Sequence, residues 1–139
     1  MSLSIRNQFD GTVTAVTTGE VMATVRTRLA GGQEITAAIT REAVEDLGIA
    51  EGAAVRVLIK STEVSVATGP VPGISIRNQL PGRVAAVATG GAMATVKIAV
   101  DGGELTAAIT KDAATELGLS EGASVVALVK STEVSLSAG

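Results

Sequence analysis

The sequence predicts an all-β protein of two tandem small β-barrels of the OB type, with one short helix in each repeat. Two observations predict this fold. First, the chain repeats itself: residues 4–32 align with 75–103, and 34–66 with 104–136, with about 37 of roughly 62 positions identical. Second, each repeat contains four or five short strand patterns with a helix pattern after the third.

The repeats set the predicted domain boundaries. The first domain is predicted at 1–67 and the second at 74–139. The segment between them, 68–73, contains two Pro and two Gly residues and is typical of a short, stiff linker.

Local patterns support each predicted element. The first strand alternates small or polar residues with apolar ones, and the Gly31-Gly32 pair marks a hairpin turn between the second and third strands. The predicted strands of the first repeat span 11–16, 22–29, 35–39, 55–60 and 62–66. An SH3-like barrel is the alternative, but such barrels normally carry aromatic residues that this chain lacks.

Capping residues define one helix in each repeat. Thr40 offers an N-cap hydroxyl, and Gly48 follows Leu47 as a C-terminal glycine, so a helix is predicted at 41–47. The corresponding helix of the second repeat is predicted at 111–117.

Composition narrows the function. The chain has no Cys and no His, which removes disulfides, thiolate metal sites and the commonest general base. We therefore predict no enzyme, no catalytic cofactor and no direct protein ligands to a metal. A net charge of −3, with one Phe and no Tyr or Trp, disfavours nucleic acid.

The hydropathy pattern predicts a cytoplasmic protein. No apolar run approaches the length of a membrane span, and the N-terminal residues lack the pattern of a secretory signal. The core must be built from small aliphatic side chains, and a repeat of about 65 residues is marginal in size. We expect burial to be completed between the repeats or between chains.

Two polar clusters have the same residues in both repeats and are candidates for a ligand-binding site. Each sets a cation beside a hydroxyl: Ser4 with Arg6, and Lys60 with Ser61, and both recur in the second repeat. Charge-assisted donors in fixed geometry suit a deprotonated tetrahedral dianion. The alternative is that these cations form ordinary surface ion pairs with Glu63 and Asp10.

These residues resemble a known module. The pattern S-I-R-N-Q, then T-G and M-A-T-V, then I-T-A-A-I-T and K-S-T-E-V-S, resembles the Mop, or molbindin, family, and two copies resemble its tandem-Mop molybdate-binding proteins of the ModG type. The resemblance implies OB-type modules that bind molybdate or tungstate as intact oxyanions. It also implies a homotrimer of two-module chains.

The resemblance further implies two kinds of oxyanion site. Interface sites join Ser-x-Arg of one module to Lys-Ser of another, and axial sites lie on a threefold axis and are lined largely by backbone amides. The implied interface residues are Ser4, Ile5 (through its backbone), Arg6, Lys60 and Ser61, with Ser75, Ile76 (backbone), Arg77, Lys130 and Ser131 in the second repeat. The implied axial stretches are Glu20, Val21 and Met22, and Gly91, Ala92 and Met93.

Two departures from the family pattern matter. Ala43 and Ala113 stand where some Mop modules place a Ser that helps to hold the anion, and Thr40 and Thr110 are the candidates to replace it, although both are most simply helix caps. Glu20 stands opposite Gly91 in the alignment, so we expect weaker anion binding at the Glu20 end.

The sequence contains no P-loop pattern, and no helix-turn-helix domain is expected beside the two repeats. Buffering and storage of molybdate is therefore the function that the sequence favours. The alternative is a scaffold in which bound oxyanions only stabilise the assembly.

Overall fold

The computed structural model describes residues 2–139, and within them the chain forms ten strands, two α-helices and two short 3-10 turns. In the first repeat these are β1 (Asn7–Thr18), β2 (Met22–Leu29), β3 (Glu34–Thr40), α1 (Arg41–Leu47), β4 (Ala54–Ile59), the turn Ser61–Glu63 and β5 (Ser65–Ala67). In the second they are β6 (Asn78–Thr89), β7 (Met93–Val100), β8 (Gly103–Thr110), α2 (Lys111–Glu116), β9 (Ser124–Val129), the turn Ser131–Glu133 and β10 (Val134–Ala138). The prediction of an all-β protein with one short helix per repeat is confirmed.

The strands form two antiparallel five-stranded sheets, ordered β10-β4-β1-β2-β3 and β5-β9-β6-β7-β8. The last strand of each repeat therefore lies in the sheet of the other. β10 pairs with β4, with Val134 opposite Ile59, and β5 pairs with β9, with Ser65 opposite Leu128. Each sheet therefore contains strands of both repeats. The predicted domain limits mark the duplicated sequences and do not coincide with the two sheets.

The strand exchange gives the two repeats a common hydrophobic core. One buried cluster contains side chains of both, among them Ile35, Val57 and Ile59 of the first and Ile98 and Leu105 of the second. A smaller cluster lies within the first repeat around Val13, Val25 and Val55. The expectation that burial is completed between the repeats is confirmed.

The two hairpin turns also meet. A Cβ built on Gly31 would lie 2.6 Å from the carbonyl carbon and oxygen of Asp101, and one built on Gly102 would lie 2.6 Å from the amide nitrogen of Gly31. Gly102 also has a φ of 81°, which favours glycine. Glycine at these turns permits a backbone-to-backbone contact between the repeats.

Five predicted elements differ from the structure at their ends. The third strand, β3 (Glu34–Thr40), is one residue longer at each end than predicted, and β4 (Ala54–Ile59) begins and ends one residue before the predicted 55–60. The strand predicted at 62–66 is wrong at its start, because the amide of Glu63 donates to the carbonyl of Lys60 at 3.0 Å and forms the 3-10 turn. β1 extends beyond the predicted 11–16 at both ends, and the second helix ends at Glu116, one residue early. None of the helices in residues 2–139 is long and apolar enough to span a membrane.

Candidate oxyanion-binding site

Strand pairing brings the two polar clusters of the first repeat together. The ladder between β1 and β4 ends at the pair Asn7–Ile59. Arg6 and Lys60 are the next residues on each side of that pair, so both leave the sheet at the same edge. Residues 54 positions apart in the sequence become neighbours in this way.

A cleft of about 260 Å³ lies at this edge. Its lining combines two cations with three hydroxyl groups and contains no carboxylate. The lining residues are Ser4, Ile5, Arg6, Lys60, Ser61 and Thr62. The five interface residues implied for the first repeat thus line one cleft. Their arrangement differs from the one that the resemblance implies, because Ser-x-Arg and Lys-Ser meet here within one repeat and not between two modules. The two positive charges match the charge of a tetrahedral dianion, and hydrogen bonds from charged donors are the strong kind.

The cations of this cleft have no carboxylate partner. In the part of the chain that the structure describes, the ion pairs are Arg41–Glu45, at 3.1 Å, and Arg56–Asp10, at 3.2 Å. Asp10 is therefore engaged by Arg56. The alternative that Arg6 and Lys60 form surface ion pairs with Asp10 and Glu63 is wrong for this structure.

The hydroxyl of Ser61 also lacks a partner. Its Oγ is buried and forms no hydrogen bond, although hydroxyls in such positions normally find one. Ser61 opens the 3-10 turn that closes one side of the cleft. The cleft thus combines two cations that have no carboxylate partner with a serine whose hydroxyl has no hydrogen-bond partner.

Gln8 holds the other side of the cleft. Its Nε2 donates to the carbonyl of Ile5 at 3.0 Å, and Gln79 donates in the same way to Ile76 at 3.2 Å. This bond fixes the backbone at Ile5 beside the cleft. Because an anion needs hydrogen-bond donors, the amide of Ile5, and not its carbonyl, is the backbone group that could bind it.

The second repeat gathers fewer of its predicted residues. Arg77 and Lys130 again lie next to the last ladder pair, Asn78–Val129, at the same edge of the sheet. A cleft of about 130 Å³ contains Ile76 and Lys130, and Ser75, Arg77 and Ser131 do not line it. The full lining is Thr62, Glu63, Ser65, Ile76, Leu128, Lys130 and Glu133. Two carboxylates beside one cation make this cleft less suited to a dianion.

The first axial stretch lies beside the start of α1. Glu20, Val21 and Thr40 line a cleft of about 580 Å³. Arg41, Glu42 and Glu45 complete its lining. Three carboxylates and one guanidinium, itself bonded to Glu45, give this region a negative charge. Met22 begins β2 at its rim, with 45% of its surface exposed.

The second axial stretch, Gly91, Ala92 and Met93, forms the equivalent turn and carries no carboxylate. In both turns the glycine amide is used internally, from Gly19 to Met22 and from Gly90 to Met93, at 2.8 Å each. The amides of Gly19 and Gly90 therefore close a plain turn.

Thr40 and Thr110 are confirmed as helix caps. Their hydroxyl oxygens accept hydrogen bonds from the amides of Ala43 and Ala113, each at 3.1 Å. A capping hydroxyl keeps its own proton, so each side chain still has one donor.

Thr62 lines the first cleft but is not among the predicted site residues, because the pattern at 62–66 predicts a strand. Asn7 and Gln8 are also not among the predicted site residues. The signal for all three was their identity in both repeats. Within residues 2–139, no three His, Cys, Asp or Glu side chains are grouped so as to hold a metal ion.

The family model described as the TOBE domain matches the chain twice, over residues 3–66 and 74–136. The chain belongs to the TOBE-domain family. Its two domains are of the Mop type, which confirms the resemblance found in the sequence. The two matches together cover nearly the whole chain.

The relatives with known names include proteins of molybdenum metabolism. The chain is 39% identical over 137 residues to a molybdenum transport protein, ModE, of Azotobacter vinelandii, covering 98% of this chain and 51% of that protein. It is 42% identical over 140 residues to the molybdenum-pterin-binding protein MopA of Rhodobacter capsulatus, covering 98% and 52%. The chain spans about half the length of these curated relatives.

A solved structure matches over the full length. It is of a cytoplasmic molybdate-binding protein, ModG, with molybdate bound, and has 39% sequence identity, a TM-score of 0.97 and complete coverage of both chains. A shorter relative, molybdenum-pterin-binding protein 3 of Clostridium pasteurianum, is 46% identical over 66 residues, which are 48% of this chain and 97% of that protein.

Proposed function

We propose that this chain binds molybdate, and tungstate, as intact oxyanions, and serves to buffer and store them in the cytoplasm. The observation that carries the proposal is the first cleft, where Arg6, Lys60 and the orphaned hydroxyl of Ser61 converge. Two cations and several hydroxyl donors without competing carboxylates suit a dianion that accepts hydrogen bonds and donates none. The full-length likeness to a molybdate-binding protein supports the same ligand.

The proposed binding is non-covalent. Molybdate keeps its four oxygens, and the chain supplies charge and donors around them. Charge-assisted hydrogen bonds contribute roughly 1.5–3 kcal/mol each, so several of them offset the cost of removing water from the anion. The residues proposed for this role are Ser4, Ile5, Arg6, Lys60 and Ser61, with Ser75, Ile76, Arg77, Lys130 and Ser131 in the second repeat.

We also propose that the chain assembles as a homotrimer. Val21, Met22 and Met93 are exposed apolar side chains, with 72%, 45% and 47% of their surface accessible. They lie in the stretches proposed to line the threefold axis. Contact between chains would bury them and would complete sites that join one module to another.

A scaffold, in which bound oxyanions only stabilise the assembly, is the second candidate function. The exchanged strands and the common core already join the two repeats, so in a scaffold the anions would act between chains. In a scaffold the anion would be a permanent part of the structure. In a store the anion must be released and rebound.

Equilibrium dialysis of anion-free protein separates these outcomes. We expect more than one molybdate per chain, competition by tungstate, weak competition by sulfate, and release on dilution with the oligomer intact by light scattering. Failure to bind molybdate would contradict the proposal. An anion that leaves only when the oligomer falls apart would favour the scaffold.

A further inference from the structure

Asn7 and Asn78 are polar residues buried between the repeats, each with only 3% of its surface exposed. Asn7 Nδ2 donates to the carbonyl of Thr106 at 2.8 Å, and Asn7 Oδ1 accepts from the amide of Thr106, also at 2.8 Å. Asn78 makes the same two bonds, at the same lengths, with Thr36. Each asparagine therefore joins its own repeat to the opposite one.

The side-chain amide acts here as a substitute for one residue of a neighbouring strand. It offers one donor and one acceptor side by side, as a peptide unit does. Thr106 belongs to β8 and Thr36 to β3, which are edge strands of the two sheets. The asparagine thus satisfies backbone groups that would otherwise be buried without partners.

The same edge strand supports both sides of the first cleft. Asn7 directly follows Arg6 and is bonded to β8, while the turn Ser61–Glu63, which contributes Ser61, packs against β8. The cleft is lined only by residues of the first repeat, but the strand behind it belongs to the second. In the second repeat, Asn78 is bonded to β3, and the turn Ser131–Glu133 packs against β3.

We propose that Asn7 and Asn78 are positioning residues for the oxyanion sites: each fixes its Ser-x-Arg segment against the edge strand of the opposite repeat, so that anion affinity depends on contact between the repeats. This inference rests on the proposed function. The asparagines do not touch the anion. They hold Arg6 or Arg77 in register with the Lys-Ser turn.

The test uses Asn7→Leu, which keeps the size and neutrality of the side chain and removes both hydrogen bonds. Calorimetric titration with sodium molybdate should show the first site weakened by about 10- to 100-fold, the range seen when supports of ligating groups are removed. Asn78→Leu should weaken the second site in the same way. The matched control is Val25→Ala, which truncates a fully buried side chain outside the cleft lining.

If Asn7 has a purely structural role, Asn7→Leu and Val25→Ala should both lower the melting temperature, and their affinities for molybdate should not differ from each other. Our proposal predicts that only the asparagine variant loses affinity at comparable loss of stability. Equal affinity of Asn7→Leu and wild type, or an equal loss in Val25→Ala, would overturn it. If wild type itself binds no molybdate, the proposed function fails as well.

A measurement on wild type covers the case in which Asn7→Leu does not fold. Hydrogen exchange of the Thr36 and Thr106 amides, which donate to the asparagine side chains, should slow on adding molybdate. The slowing should exceed that of the Val25 amide, which reports general stabilisation. Slowing that is equal at all three amides would overturn the proposal.

Discussion

Replacing Ser61 by Ala should raise the stability of the anion-free protein and lower its affinity for molybdate. The two effects have opposite signs because the Ser61 hydroxyl is buried without a hydrogen-bond partner. Without the anion this group costs free energy, and with the anion it would become a donor to an oxygen. An ordinary structural serine would not produce such a pair of effects.

The magnitudes follow from the local structure. A buried polar group without a partner costs about 1–3 kcal/mol. Removing one oxygen leaves a small void that costs about 1 kcal/mol or less. The net stabilisation of Ser61→Ala is therefore on the order of 1 kcal/mol, which corresponds to about 3 °C in melting temperature for a chain of this size. Loss of a charge-assisted hydrogen bond of roughly 1.5–3 kcal/mol weakens molybdate binding by about 10- to 150-fold.

Differential scanning calorimetry at one fixed protein concentration, with and without saturating molybdate, measures both effects. Calorimetry suits this chain because it has no Tyr or Trp to report unfolding by fluorescence. Ser131→Ala is the matched control for the stability effect alone, because the Ser131 hydroxyl is not among the buried unpaired atoms of the described residues. A lower melting temperature of anion-free Ser61→Ala, or unchanged molybdate affinity, would contradict the role assigned to the Ser61 hydroxyl.

Two further predictions concern glycine and charge. Gly31→Ala would place a Cβ against the backbone of Asp101, so we expect a loss of about 1–3 kcal/mol in the free energy of unfolding, measured by circular dichroism in urea. Gly69→Ala, where a Cβ meets nothing within 4 Å, should be nearly neutral, and equal effects would contradict the contact. Glu20→Gly should tighten axial molybdate binding and Gly91→Glu should weaken it, measured by molybdate occupancy at limiting ligand. Equal occupancy in both variants would count against an axial role.

Local elements were predictable because short patterns determine them. Thr40 and the glycine after Leu47 define α1, and the structure has it at the predicted residues. The Gly31-Gly32 pair likewise marks the turn between β2 and β3. Each of these signals acts within a few residues of the sequence.

The strand exchange was not predictable from such patterns. β5 and β10 are short strands that occupy equivalent positions in the two repeats, and nothing in their residues assigns either one to a particular sheet. Which sheet each joins depends on the path of the segment between the repeats and on the common core. Neither leaves a local signal.

The candidate site was predictable in composition and only in part in geometry. Identity between the repeats selected Arg6 and Lys60, and the ladder between β1 and β4 brings them to one edge. The same identity did not reveal that Glu63 of the first repeat and Glu133 of the second line one cleft with Lys130. That difference arises from packing between the repeats, which a repeated sequence does not encode separately for each copy.

Calorimetric titration of anion-free protein with sodium molybdate, beside sodium sulfate, measures directly whether the chain binds oxyanions through Arg6 and Arg77. The informative variant is the double substitution Arg6→Ala/Arg77→Ala, and its control is Arg26→Ala/Lys97→Ala, which removes two exposed charges from β2 and β7. We expect tight molybdate binding and weak sulfate binding by wild type and the control, and loss of molybdate binding in the arginine variant. No molybdate binding by wild type, or equal binding by the arginine variant, would contradict this expectation.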